Sequence, residues 1–167
     1  YAVHYSVPFG KWTWTFNHGG YRYHQAVAGL NEAYDYNGKS RHYDFGFDRL
    51  LYRDAKRKLH FGMKWWIRTT QSYIDDAEIR IQRRKTAGWS AELSHKAYIG
   101  NSTADFRLGY KRGTGMNGAL RAPEEAFDEG TSRMKIWTAS ADVNIPFHIG
   151  QQPMVDDTTL HLQWNKT

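Results

Sequence analysis

The stretch from Leu59 to Tyr73 decides more about this chain than any other. Its odd positions are Leu59, Phe61, Met63, Trp65, Ile67, Thr69, Gln71 and Tyr73; its even positions are His60, Gly62, Lys64, Trp66, Arg68, Thr70 and Ser72. The first set is apolar and aromatic, the second small, polar or cationic. A strand sends alternate side chains to opposite faces, whereas a helix of period about 3.6 would mix the two sets. The segment reads as one long amphipathic strand. Soluble strands usually run about 5–6 residues, and a tilted membrane strand needs roughly 9–11. The length therefore favours a membrane strand.

The alternation recurs along the chain. Val3, Tyr5, Val7 and Phe9 oppose His4, Ser6 and Pro8; Trp12, Trp14 and Phe16 oppose Thr13, Thr15 and Asn17; Tyr43, Phe45 and Phe47 oppose His42, Asp44, Gly46 and Asp48. Further segments run from Ala87 to Ser94, Thr103 to Lys111, Trp137 to Phe147 and Leu160 to Asn165. About eight strands follow from this period of two. At Asn17-His18-Gly19-Gly20 the phase breaks, and a β-bulge is the simplest expectation. Arg83 and Lys85 share the phase of Ile79, Ile81 and Trp89, which places them either on an extracellular rim or beyond a second phase switch.

The connections fall into two sets. Phe9-Gly10-Lys11, Arg53 to Lys56, Ile99 to Ser102 and Ile149 to Gln152 are tight. Gly29 to Ser40, the brief Ile74 to Ala77 and the large Gly113 to Thr131, with its acidic stretch from Glu124 to Glu129, are more polar and mostly longer. Short turns at one end and longer loops at the other characterise outer-membrane barrels.

A soluble sandwich also alternates, so composition must decide which solvent each face meets. The chain carries 7 Trp, 11 Tyr and 8 Phe, 16% of 167 residues, and they crowd the apolar face near strand ends. Such rings favour the headgroup level, where one edge is wet. Full charges stand deep in the opposite face, as a water-filled lumen permits. No apolar run approaches the roughly 20 residues of a transmembrane helix. The reading is an all-β transmembrane antiparallel barrel occupying residues 1–167.

Arg22, His24, Asp44, Asp48, Lys64, Arg68, Arg107 and Lys111 are the candidate pore-lining residues. Other chemistry finds less support. No Gly-x-Ser-x-Gly occurs, Cys is absent, and the eight His lack paired zinc spacing, so no catalytic residue, metal or cofactor is assigned. Asp48 with His60 could mimic a rim dyad, but polar residues wetted by a lumen are by far the better account of them. The net charge of +6 is spread at strand spacing rather than clustered, so no nucleic-acid partner is expected.

Several runs carry a family resemblance. Tyr5-Ser6-Val7-Pro8-Phe9-Gly10-Lys11-Trp12, Leu50-Leu51-Tyr52-Arg53-Asp54 and Leu108 to Gly113 resemble the early barrel of two-partner secretion transporters. Ser72 to Glu78 and Arg83 to Trp89 are most similar to the contact-dependent growth inhibition branch. The resemblance covers essentially the whole chain. It implies an outer-membrane location in a Gram-negative bacterium, a sixteen-stranded barrel of which this is about half, and export of an unfolded adhesin or inhibition toxin as the exoprotein partner. Outer-membrane lipid and lipopolysaccharide, and the barrel assembly machinery, are the other implied partners. The family's POTRA domains, plug helix, Val-Arg-Gly-Tyr lid motif and later strands are not seen here, so the chain is expected to be a segment of a longer transporter. No functional motif residue of the family maps onto it. Two other readings stand beside this one: a complete eight-stranded outer-membrane protein acting as adhesin or rim enzyme, and a soluble all-β binding module.

Overall fold

A computed structural model describes residues 1–28, 33–127 and 129–166. The strands are β1 (Ala2–Phe9), β2 (Trp12–Ala28), β3 (Ala33–Arg53), β4 (Arg57–Ile74), β5 (Ala77–Glu78), β6 (Arg84–Ile99), β7 (Ser102–Thr114), β8 (Lys135–Ile149) and β9 (Gln152–Lys166). They form one antiparallel sheet in the order β1-β2-β3-β4-β6-β7-β8-β9, with the two-residue β5 paired to β4. Among the described residues no helix is long and apolar enough to cross a membrane, and the only helical turns are short 3-10 segments.

Sequential antiparallel pairing needs only hairpin turns, and the turn residues match that need. Gly10, Gly100 and Gly150 each take the first central position of a two-residue turn with φ of 61°, 60° and 63°. A Gly-x pair of this kind twists with the flanking strands. At the fourth turn of this end, Asp54 Oδ1 accepts the Lys56 and Arg57 amides at 2.7 and 2.6 Å, and Tyr52 donates to Oδ2 at 2.7 Å. The Tyr52 hydroxyl and these amides hold the Asp54 carboxyl down at about 2. At the opposite end, Asp75 and Asp76 both have positive φ, the primed turn that joins β4 to β5.

The register corrects several expectations. No bulge lies at Asn17 to Gly20: β2 pairs β3 without a slip from Trp12↔Arg49 to Ala28↔Ala33. The irregularity sits instead between Leu50 and Tyr52, where β3 gains one residue against β4. Residues 34–40, expected in a loop, belong to β3 and pair with β2; residues 29–32 of that expected loop lie outside the described residues, as does Asp128 of the acidic stretch. Ile79 to Arg83 is not strand, because a 3-10 turn at Arg80–Gln82 interrupts it. Arg83 therefore leaves the ladder, while Lys85 keeps the face of Trp89 at the top of β6.

Directly opposed residues share a face, so the ladders sort every side chain. One face carries rows of rings such as Trp14–Phe47–Met63 and Phe16–Phe45–Trp65–Trp89. Its rings contact one another, with Trp12 and Trp14 stacked at 5.8 Å and Tyr110 against Trp137 at 4.6 Å. The rings remain open: Phe45 is 47% exposed and Trp164 68%. In water such a surface would be costly, and in acyl chains it is the solvent-matched side. Trp65→Arg, in the middle of this belt, should cost about 2–4 kcal/mol in denaturant unfolding from lipid vesicles. Lys64→Ala, one residue away on the other face, should change stability by less than about 0.5 kcal/mol. Equal losses for the two would contradict the assignment of faces.

Candidate functional site

The other face is built from rows that cross several strands. One row runs Asn17–Asp44–Trp66–Gly88–Gly113; the next, toward the short turns, runs Thr15–Gly46–Lys64–Ser90–Lys111. Below them lie Asp48–Gly62–Glu92–Gly109 and then His60–Ser94–Arg107–Ser140–His161. Glycine lets these rows hold large groups. A Cβ on Gly88 would come within 2.7 Å of Trp66 Cζ2 and 2.2 Å of the Arg112 carbonyl oxygen. The Trp66 indole therefore lies down on the sheet at Gly88 and is only 6% exposed.

Charge gathers around that indole. Lys111 Nζ lies 5.3 Å and Arg68 Cζ 5.9 Å from its ring, within cation–π range. Asp44 is its direct neighbour on β3 and Lys64 the next cation along β4. Nearer the short turns the signs mix. Arg107 bridges Asp105 at 3.2 Å and Asp142 at 3.3 Å, and His60 Nδ1 meets Asp48 Oδ1 at 2.8 Å. The face thus has a cationic band around Trp66 and a neutralised band below it.

Six of the eight sequence candidates share this face: Asp44, Asp48, Lys64, Arg68, Arg107 and Lys111. Arg22 and His24 do not. With no bulge in β2, their direct partners are Lys39 and Asn37, and all four stand on the ring-bearing face above Trp12, Trp14 and Phe16. His24 Nδ1 pairs there with Asp35 Oδ1 at 2.9 Å. Asp142, His161 and Lys96, which sequence reasoning did not single out, join the polar face; their own strands alternate clearly, and that phase was the available signal. Asp48 and His60 do meet, yet among the described residues no hydroxyl is hydrogen-bonded to His60. Nor does any cluster of three or more His, Asp or Glu suited to a metal occur among them.

The long-loop end is tied down by side chains. Tyr23 Oη lies 3.4 Å from Tyr36 Oη and 3.2 Å from Ser72 Oγ, and Tyr36 donates to Gln82 at 3.0 Å. The Asp35 amide donates to Asp75 at 2.9 Å. In the 115–134 connection, the Leu120 amide donates to the Lys85 carbonyl at 2.7 Å, and Arg84 holds Glu124 in a two-pronged ion pair. The Arg84 guanidinium keeps the Glu124 carboxyl down at about 2.

The sequence matches the family model described as haemolysin secretion/activation protein ShlB/FhaC/HecB over residues 1–167. It is 30% identical over 160 residues to the outer membrane transporter CdiB-2 of Burkholderia pseudomallei (strain 1026b), covering 96% of this chain and 27% of that protein. The fold is similar to CdiB from Acinetobacter baumannii, with TM-score 0.77 and 24% identity over 99% of this chain and 28% of that one. It is similar to CdiB from Escherichia coli as well, with TM-score 0.79 and 19% identity over 98% and 30% of the two chains. The chain therefore spans little more than a quarter of the length of these relatives.

The Arg84–Glu124 pair yields a pH test. A carboxyl whose folded pKa lies below its unfolded value of about 4.3 stabilises fully above that value and ceases to as pH falls through the folded one. Exchange protection of the Leu120 amide should therefore hold from pH 7 to about 4.5 and weaken toward pH 2. Arg84→Gln should show the weakened protection at neutral pH. Undiminished protection in that variant would show that the ion pair does not anchor the loop.

Proposed function

Because the chain belongs to the ShlB/FhaC/HecB family of haemolysin secretion/activation proteins, outer-membrane transporters of two-partner secretion, we propose that it forms the first part of a barrel exporting an unfolded adhesin or contact-dependent inhibition toxin. The observation that carries this reading is the polar face. A conduit for an extended polypeptide should be wet and should offer no apolar patch on which a segment stalls. The rows from Thr13 to Gln163 supply small, polar and mixed-sign groups, with Trp66 laid flat on the sheet rather than projecting. Asp44, Asp48, Lys64, Arg68, Arg107 and Lys111 line the lumen in this account, and Arg22 and His24 stand outside it. Transport of this kind uses no bond chemistry, so the chain is not an enzyme and needs no cofactor.

The sheet order favours a larger barrel over a complete eight-stranded one. β1 and β9 do not pair with each other among the described residues, which leaves two open edges. Unpaired amides in hydrocarbon cost several kcal/mol each, so further strands must close the sheet. A sixteen-stranded barrel, with the POTRA domains, plug helix and lid supplied by the rest of a parent transporter, meets that need. The secreted exoprotein, outer-membrane lipid and lipopolysaccharide, and the barrel assembly machinery are its proposed partners, with no role for nucleic acid.

This segment has no cysteine, which makes a facing test direct. In the parent transporter, Ser90→Cys should react with a water-soluble maleimide and should cross-link to an exoprotein stalled during export. Ala91→Cys, directed to lipid, should do neither. Cross-linking from Ala91→Cys alone would reverse the proposal.

A further inference from the structure

The last three strands form a groove on the ring-bearing face. Ala139 and Ala141 of β8 lie between Phe106 and Leu108 on one side and Leu160 and Leu162 on the other. The small central residues leave a largely apolar hollow of about 320 Å³ lined by those six side chains together with Leu93 and His95 of β6. Directly above it runs the row Tyr110–Trp137–Trp164, and above that the row Arg112–Lys135–Lys166. The order along β8 is thus apolar groove, aromatic row, cationic row.

Arg53, Lys58 and Lys96 also stand abreast, on the polar face near the short turns, whereas the Arg112–Lys135–Lys166 row caps the ring-bearing face above an apolar groove. Like charges directly opposite one another destabilise a sheet, and here three basic residues stand abreast, all exposed. Among the described residues none of the three forms an ion pair. A second hollow of about 950 Å³ opens between Arg112, Lys135 and the 115–134 loop, which adds Arg121, Arg133, Glu125 and Glu129 to its wall. Glu125 is already engaged by Thr131 and Arg121, and among the described residues Arg133 Nη1 is buried without an acceptor. The same order appears on β2 and β3, where Arg22 faces Lys39 and Arg41 sits two residues above Tyr43. At the opposite end of this face the cations are occupied: Arg49 covers the Trp12 ring at 4.6 Å, and Arg57 pairs with Asp54 at 3.4 Å.

An apolar groove capped by rings and then by unneutralised cations is the negative image of an amphiphile with acyl chains and a phosphorylated head. We propose that β7, β8 and β9 hold a phosphorylated glycolipid of the outer leaflet, with acyl chains in the Ala139–Ala141 groove and phosphate on Arg112, Lys135 and Lys166. The inference rests on the outer-membrane reading and names a site for the lipid partner. Basic groups near an anionic surface each supply enough for about a five-fold change in affinity, so two supply about thirty-fold.

The test is native mass spectrometry of the detergent-solubilised parent transporter with added bisphosphorylated lipid A, the same lipid dephosphorylated, or phosphatidylglycerol. The parent should retain the bisphosphorylated form in preference to the other two, a comparison that needs no variant. Arg112→Gln combined with Lys135→Gln should weaken retention about thirty-fold. Arg49→Gln should leave it unchanged. Equal retention of dephosphorylated lipid or of phosphatidylglycerol would overturn the site, as would full retention by the double variant. Secretion is not read here, so failure of the lipid site leaves the transport proposal standing, and failure of the Ser90→Cys cross-link leaves the lipid site standing.

Discussion

In hydrocarbon an amide has no water to bond to, and this single constraint organises the chain. Every spanning strand must be laddered on both sides, so the chain can only run up and down beside itself. Each of the long strands pairs with its sequence neighbour, and the ladders persist over β2, β3 and β4 well beyond what a soluble sheet needs. Once the ladders exist, the pleat assigns each residue to lipid or lumen with no further freedom. A one-residue slip would exchange the two faces of a strand entirely. That is why the lone irregularity of β3, between Leu50 and Tyr52, falls at the end nearest the short turns, where the exchange affects few residues.

The two faces solve different problems with similar residue types. Aromatic groups on the lipid side spread outward and touch edge-on or stacked, as Trp12, Trp14 and Phe47 do. On the polar side the Trp66 ring is folded down over glycine and flanked by cations. Cations are divided as well. Those in the mid-height polar rows include Arg107 beside Asp105 and Asp142 and Lys111 beside the Trp66 ring. On the ring-bearing face Arg112, Lys135 and Lys166 stand beyond the aromatic rows at the long-loop end, while Arg49 and Arg57 lie near the short turns. Face and height along the strand, rather than residue type, separate Lys64 and Lys111 from Lys135 and Lys166.

That distinction explains what the sequence disclosed and what it concealed. β4 was legible because hydropathy alone separates its faces, and the same holds for β7 and β8. In β2, Gly19 and Gly20 carry no hydropathy signal, and the residues that follow, Arg22 and His24, look like lumen groups. Read as lumen groups, they force an invented bulge; with the continuous ladder they stand on the ring-bearing face above Trp12, Trp14 and Phe16. Residues 34–40 look like loop because Asp35, Asn37 and Gly38 are poor strand formers. Pairing with β2 and the Tyr23–Tyr36–Ser72 contacts override that preference. The Arg84–Glu124 pair joins residues forty positions apart, and no local pattern announces it.

The tall β2–β3 hairpin has a consequence for the cell that bears it. Strands of 17 and 21 residues, rising about 3.4 Å per residue, far outreach an apolar band about 25 Å tall even when tilted. Its upper part is braced by tyrosines and by the Asp35–Asp75 contact, so it stands as a stiff parapet rather than a loose fringe. A macromolecule approaching from that end therefore meets a shaped, braced sheet before it meets the apolar band.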